Sequence, residues 1–359
     1  MAARKGLRTK GLVIVSALSL LGGLAACSAP ESTPSRSPAG SESPAPALEK
    51  SAINIALTGV GTISNVPLYL AQELGYFADA GLTVKMTAVK GGSDAIQSLI
   101  TNTVDATTNE YVHTISVQQQ KKDIEAVMVI QDAPTYALVV TSKNANATIK
   151  DLEGFNIGVV SLGGSTENLV NYLFEKNGME PSKAKLIAIG VGQSQSAAIQ
   201  SGNIQALIAT EPTLTTALDA GTVKVLVDFR TPDVIKEMFG GPSPFWSVLM
   251  TNEFAQKNPN TTQALVTACA RALDFMHSSS VDEVVAKLPG EVYYPSGDKT
   301  IFTHILNGGM SGFSKDGVMP TGGPQNILNY LKQSDPTGDI SMIDLEKTFD
   351  DTFAKTAAK

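Results

Sequence analysis

The chain has 359 residues, 27 Lys and Arg against 34 Asp and Glu, and a formal net charge of −7. That length can hold two domains, and with 43% hydrophobic but only 6% aromatic residues the core is expected to be built from Leu, Ile, Val and Ala. The acidic balance excludes nucleic acid as a partner, because phosphate binding needs a basic face.

Arg4, Lys5, Arg8 and Lys10 lead into GLVIVSALSLLGGL, an apolar run too short and too interrupted by glycine for a membrane span. The run ends at Leu24-Ala25-Ala26-Cys27, which resembles the lipobox of bacterial lipoproteins. The resemblance implies that residues 1–26 are removed and that Cys27 carries lipid. Cys269 is then left alone, and no intramolecular disulfide is expected. Residues 27–51, rich in Ser, Pro and Ala, read as a disordered tether holding a folded part off a membrane.

From Ile53 the pattern is strand, loop, helix, strand, glycine turn, helix, strand. Ile53, Ile55 and Leu57 alternate as a strand packed on one face would. Thr58 to Asn65 is a polar loop, Pro67 suits a first helical turn, and Gly75 is placed to end the helix striped by Leu70, Ala71 and Leu74. The strand Leu82 to Val89 runs into Gly91-Gly92, with Ser93 placed to cap the next helix. Ala106 to Tyr111 closes a third strand in a polar cluster, His113 to Gln120 is helical, and Glu125 to Ile130 is a fourth strand. Tyr136 to Thr141 is a near-continuous β-favouring run.

A second unit repeats the scheme. It comprises the strand Asn156 to Val160, the turn Ser161 to Thr166, and a helix striped by Leu169, Val170, Leu173 and Phe174. Then come the strand Leu186 to Ile189, the helix Ser194 to Ser201, and the strand Ile204 to Ala209 ending at Thr210-Glu211-Pro212. SDAIQSLITNTVDATTNE and SQSAAIQSGNIQALIATE share helix, polar turn and strand, and both reach a glutamate, Glu110 and Glu211. Val223 to Asp228 is a further strand and Pro244 to Met250 a second β-favouring run. Beyond Asn252 the chain reads as helical, with Thr261 to His277 strongest and others near Lys299 to Asn307, Gln325 to Lys332 and Ile343 to Lys355. Repeated βα units predict parallel α/β sheets whose strand ends and helix N-termini form a ligand crevice.

The order of PLYLAQELGYFADAGLTVKM, GGSDAIQSLITNTVDATTNE, YALVVTSK, IKDLEGFNIGV, GGSTENLVNYLFEKNG, SGNIQALIATEP and SVLMTNEFAQKNP resembles a known family. It is the nitrate/sulfonate/taurine family of ABC-transporter substrate-binding proteins, which includes binding proteins for thiamine-precursor pyrimidines. The resemblance implies a two-lobed periplasmic-binding-protein fold of type II. Two crossover strands, Tyr136–Thr141 and Trp246–Met250, would form its hinge. Residues 52–138 and 246–359 would make lobe one and 139–245 lobe two. A solute would sit between the lobes, and the loaded protein, a monomer, would dock on a membrane permease driven by a cytoplasmic ATPase. The same motifs also leave open a sensory binding protein reporting to a membrane partner, and a secreted enzyme of the pyrimidine-synthase type. Two departures stand out. Thr210 occupies the place usually held by an aromatic before Glu-Pro, and the Cys-rich segment with a His found in the synthases is missing.

Candidate solute contacts are the loop ends. Gly92-Ser93 and Gly163-Gly164-Ser165-Thr166 each open a helix, where free N–H groups and the dipole favour an anion. Ser64, Asn65, Asn109, Glu110, Tyr111, Asp132, Tyr136, Glu211 and Trp246 are the others. Lys90 is the one cation near them in sequence. The carboxylates suit a solute with an amine or ring N–H donors, such as an amino-sulfonate or a nitrogen heterocycle, better than nitrate. Trp246, the single tryptophan, is placed either to stack on a ring or to pack the lobe beside the hinge strand. No catalytic group, metal or cofactor is expected. The three histidines are scattered, Glu110 and His113 alone do not make a metal site, and Gly59-Val60-Gly61 lacks the third glycine of a dinucleotide fingerprint.

Overall fold

The computed structural model describes residues 46–89, 91–295, 297–334 and 340–358. The signal segment, Cys27 and Lys90 lie outside them. Among the described residues, ten strands form two five-stranded sheets. The first holds β1 (Ala52–Thr58), β2 (Thr83–Val89), β3 (Ala106–Glu110), β4 (Ile124–Gln131) and β10 (Trp246–Thr251), in the order β2-β1-β3-β10-β4. The second holds β5 (Tyr136–Thr141), β6 (Asn156–Val159), β7 (Lys185–Ala188), β8 (Ala206–Thr210) and β9 (Val223–Asp228), in the order β7-β6-β8-β5-β9.

The two orders are the same topology written twice. In each sheet the first three strands pair parallel, and one antiparallel strand is inserted before the last. That inserted strand arrives from the other sheet, because β5 follows β4 and β10 follows β9. The two β-favouring runs are therefore the crossovers. Both are buried along almost their whole length, which is why they read as apolar runs rather than alternating ones. β5 lies whole in the second sheet, so a lobe boundary placed after Leu138 would cut it in two.

Local chemistry sets the element ends. The helix Val66–Glu73 begins with Pro67 in its first turn, and Gly75 terminates it at φ +77°, a left-handed position that costs glycine nothing. The helices Gly92–Ile100 and Ser165–Lys176 start one residue after a glycine N-cap, so Ser93 and Ser165 lie inside the first turn instead of capping it. The tether also ends earlier than its composition suggests. Glu49 accepts from the N–H groups of Asn260 and Thr261 (3.2 and 3.0 Å), satisfying free donors in the first turn of the helix Pro259–Ser278, and Leu48 packs on the adjoining core.

The C-terminal third divides between the lobes. Pro259–Ser278 covers the first sheet, whereas Gly323–Ser334 packs on Ser165–Lys176 and Pro232–Phe239 beside the second. There Tyr330 stacks on Phe239 (4.6 Å between ring centres) and meets Tyr172 edge-on. One helix was expected over Ile343 to Lys355. Instead the chain breaks so that Phe349 bridges β4: Ala126 N–H donates to Thr348 O (2.9 Å) and Asp350 N–H to Ala126 O (3.0 Å). A single apolar cluster runs from Leu99, Tyr111, Val129 and Leu249 of the first half to Leu138, Ile157, Ala206 and Ile208 of the second, so the lobes share core at the hinge.

Candidate functional site

A cleft of about 290 Å³ lies between the sheets, near the lower end of the roughly 300–1,000 Å³ of small-molecule sites. The topology explains its walls. The C-terminal ends of the parallel strands deliver Thr58, Asn109-Glu110, Val160-Ser161 and Thr210-Glu211, and the first residues of the two crossovers, Tyr136 and Trp246, form part of the same wall. In register, Tyr136 pairs with Thr210 and Trp246 with Glu110, so each aromatic sits beside a strand end that opens onto the cleft.

Of the residues read from sequence, Ser64, Gly92, Ser93, Asn109, Glu110, Tyr136, Gly164, Ser165, Thr166, Glu211 and Trp246 line this cleft. Glu110 is its chemical centre. It is 8% exposed, and among the described residues its one side-chain donor is Ser165 Oγ, at 2.9 Å, from the opposite wall. Burial, opposed only by that hydroxyl, pushes its carboxyl up to about 7. Trp246 is also buried, and its indole N–H has no hydrogen-bond partner among the described residues, an unusual state for a buried donor. Asn109 donates to Gly92 O (2.9 Å) and fixes the glycine turn against β3. A side chain at Gly92 would meet that amide at 2.9 Å, so the close approach requires glycine.

Four predicted contacts do not line the cleft. Asn65 lies fully buried behind the cleft, accepting from Thr108 Oγ1 (2.7 Å) and donating to Thr58 O (3.3 Å), where it ties β1 to β3. Tyr111 is fully buried against the C-terminal segment, with its hydroxyl on Thr348 Oγ1 (2.5 Å). Asp132 sits at the β4–β5 crossing near Asp316, and burial, then that charge, push its carboxyl up to about 7. Gly163 is exposed, and its N–H is taken by Glu167 Oε2 (2.7 Å).

Glu211 reaches the cleft but is already engaged. Its carboxylate accepts from Thr215 N (3.0 Å), Thr215 Oγ1 (3.1 Å) and Arg230 Nη1 (3.3 Å). Arg230 also holds Asp228 through Nε and Nη2, at 2.9 and 2.7 Å. Sequence reading missed Arg230, and the signal was Asp228-Phe229-Arg230 at the end of β9 beside the crossing. It also missed His113, which lines the cleft and is held neutral because burial lowers its pKa to about 4. Thr135, Ser161 and Phe245 are further lining residues that sequence reading missed. Among the described residues, no Lys or Arg lines the cleft.

A family model described as NMT1/THI5 like matches residues 63–280. The structure of a protein from Bordetella bronchiseptica RB50 is 32% identical, covering 87% of this chain and 98% of that one with a TM-score of 0.79. The periplasmic aliphatic sulphonate binding protein SsuA from Escherichia coli shares the fold at 18% identity, covering 72% of this chain and 84% of that one with a TM-score of 0.59. The 4-amino-5-hydroxymethyl-2-methylpyrimidine phosphate synthase THI13 of Saccharomyces cerevisiae is 25% identical over 235 residues, 64% of this chain and 68% of the relative. The architecture is thus the two-lobed periplasmic-binding-protein fold, and the chain belongs to the NMT1/THI5-like family.

Proposed function

We propose that this chain is an extracytoplasmic solute-binding lipoprotein of an ABC importer, anchored through Cys27, which captures a small organic solute between its lobes and hands it to a membrane permease. The observation that carries the reading is the Trp246 indole N–H, a buried donor without a partner among the described residues, on a residue of the cleft wall. Such a group costs free energy unless a ligand satisfies it. Glu110 beside it, and the absence of Lys and Arg from the described lining, favour a solute that donates hydrogen bonds, an amino-sulfonate or a nitrogen heterocycle, over a bare anion. The first turns of Gly92–Ile100 and Ser165–Lys176 carry no side-chain cap and can hold an acidic group of the same solute.

The names of the yeast relatives support a second reading, an enzyme of the pyrimidine-synthase type. The chain's chemistry argues against it. Among the described residues the one cysteine is Cys269, fully buried in the helix Pro259–Ser278, and burial pushes its thiol up to about 12. A sensory binding protein would use the same cleft, and neighbouring permease and ATPase genes distinguish the importer from it.

Thermal unfolding against taurine, alkyl sulfonates, nitrate, aromatic acids and pyrimidines tests the reading. A true ligand at about a hundred times its Kd adds about 2.7 kcal/mol, a shift of several degrees for a chain this long. One class, bearing N–H donors, should stabilise. A flat response across the panel would count against this range of solutes.

A further inference from the structure

We propose that Glu110 and Ser165 form a proton-operated latch, which holds the two walls of the cleft together while the Glu110 carboxyl carries a proton and lets them part when it ionises. Glu110 ends β3 of the first sheet, and Ser165 opens the helix Ser165–Lys176 on the second. The 2.9 Å bond from Ser165 Oγ to Glu110 Oε1 is therefore a direct tie between walls. Behind the tie lies a small cavity of about 20 Å³, whose apolar lining includes Val112, Leu169, Phe245 and Ile327. A carboxylate closed into this place has, among the described residues, one side-chain donor, Ser165 Oγ, and otherwise faces a mostly apolar wall in which Tyr136 and Tyr330 also sit, so burial favours the protonated, uncharged form. From the third side Tyr330, on Gly323–Ser334, donates to Ser165 O (3.3 Å) and steadies the serine.

The other titratable groups facing this place from neighbouring elements are Tyr136 on β5, Tyr330, His113 and Glu211. None supplies a positive charge at neutral pH. The tyrosines stay neutral because burial raises them further, burial keeps His113 neutral down to about pH 4, and Glu211 is paired with Arg230. With the walls apart, the Glu110 carboxyl meets water and regains an ordinary glutamate pKa near 4.5, while in the closed cleft burial raises it to about 7. Protons therefore favour the closed form. Its advantage is complete below the ordinary value, falls about tenfold in closed-to-open ratio per pH unit through the interval, and is exhausted above the raised one.

The proposal rests on the hinged cleft proposed above, but its test needs no solute, so the two fail separately. The purified full chain, without added ligand, is followed by small-angle scattering and by the emission of Trp246, the single tryptophan, which pairs with Glu110 in the sheet register. The wild type should expand as pH rises from about 4.5, with its radius of gyration and emission both levelling off near pH 7. Glu110→Gln, a neutral isostere, should stay compact throughout. Ser165→Ala removes the hydroxyl that lowers the closed-state pKa, so its transition should end at higher pH. That variant decides the matter if Glu110→Gln does not fold. A wild type constant in both signals, a Glu110→Gln protein with the wild-type transition, or an unmoved end point in Ser165→Ala would overturn the latch.

Discussion

Replacing Arg230 with alanine should lower the unfolding free energy by about 3–5 kcal/mol, the usual cost of removing one partner from a buried ion pair. The Arg230 side chain is only 16% exposed and that of Glu211 only 6%, so solvent does little to screen the charge left behind. Thr215 would still donate twice to Glu211, but nothing would neutralise it. The loss should also depend on pH. Burial raises the Glu211 carboxyl, and Thr215 and Arg230 oppose that rise, so without Arg230 the group titrates higher still and acid can discharge it. Asp228 works the other way. Burial would raise it, but its bonds to Arg230 hold it below the usual range. It thus contributes stability above the ordinary Asp value that fades as pH falls through the lowered one. Both effects shrink the penalty in acid, but that of Asp228 sets in only below the ordinary Asp value, so between pH 8 and pH 5 the change comes from Glu211. Urea unfolding of both proteins near pH 8 and near pH 5 would measure it. A loss below about 1 kcal/mol, or the same loss at both pH values, would mean that the triad is solvated and its charges matter little.

The substitution Trp246→Phe should separate binding from stability. It keeps an aromatic ring in the wall and deletes a buried N–H that has no partner among the described residues. The unliganded protein should therefore lose less than about 1.5 kcal/mol, as expected for a near-conservative change of core volume. Affinity for the stabilising solute should drop about ten- to a hundredfold, because an acceptor on the solute is left unpaired. Equal affinity in both proteins, measured by titration calorimetry, would remove the indole from the binding chemistry.

How much of this was legible in the sequence differs by level. The alternation of Ile53, Ile55 and Leu57, the stop at Gly75 and the buried runs of β5 and β10 depend on neighbours close in the chain, and pattern alone located them. The matching ends at Glu110 and Glu211 were legible too, since both follow from one repeated topology. Helices Thr213–Asp219 and Pro232–Phe239 were not anticipated, although Thr231-Pro232-Asp233 is a helix-start signal. The break at Phe349 was invisible because its cause, the edge of β4, lies more than 200 residues upstream. The same holds for side-chain direction. Tyr111 and Glu110 are adjacent in sequence, yet one packs under the C-terminal segment and the other lines the cleft, as alternation at a strand end requires. Sequence places Glu211 among the solute contacts but not its pairing, because its partner, Arg230, comes from another strand end, and such pairings leave no periodic trace.

A chain that only captures its solute holds one small molecule in the cleft and releases it chemically unchanged. Equilibrium dialysis of the purified chain against the compound that stabilises it best, with both compartments analysed by mass spectrometry, tests this directly. Saturation is expected at about one equivalent per chain, with the compound recovered intact after prolonged incubation. Conversion of the compound to a product, or no retention at concentrations that shift the melting temperature, would contradict it.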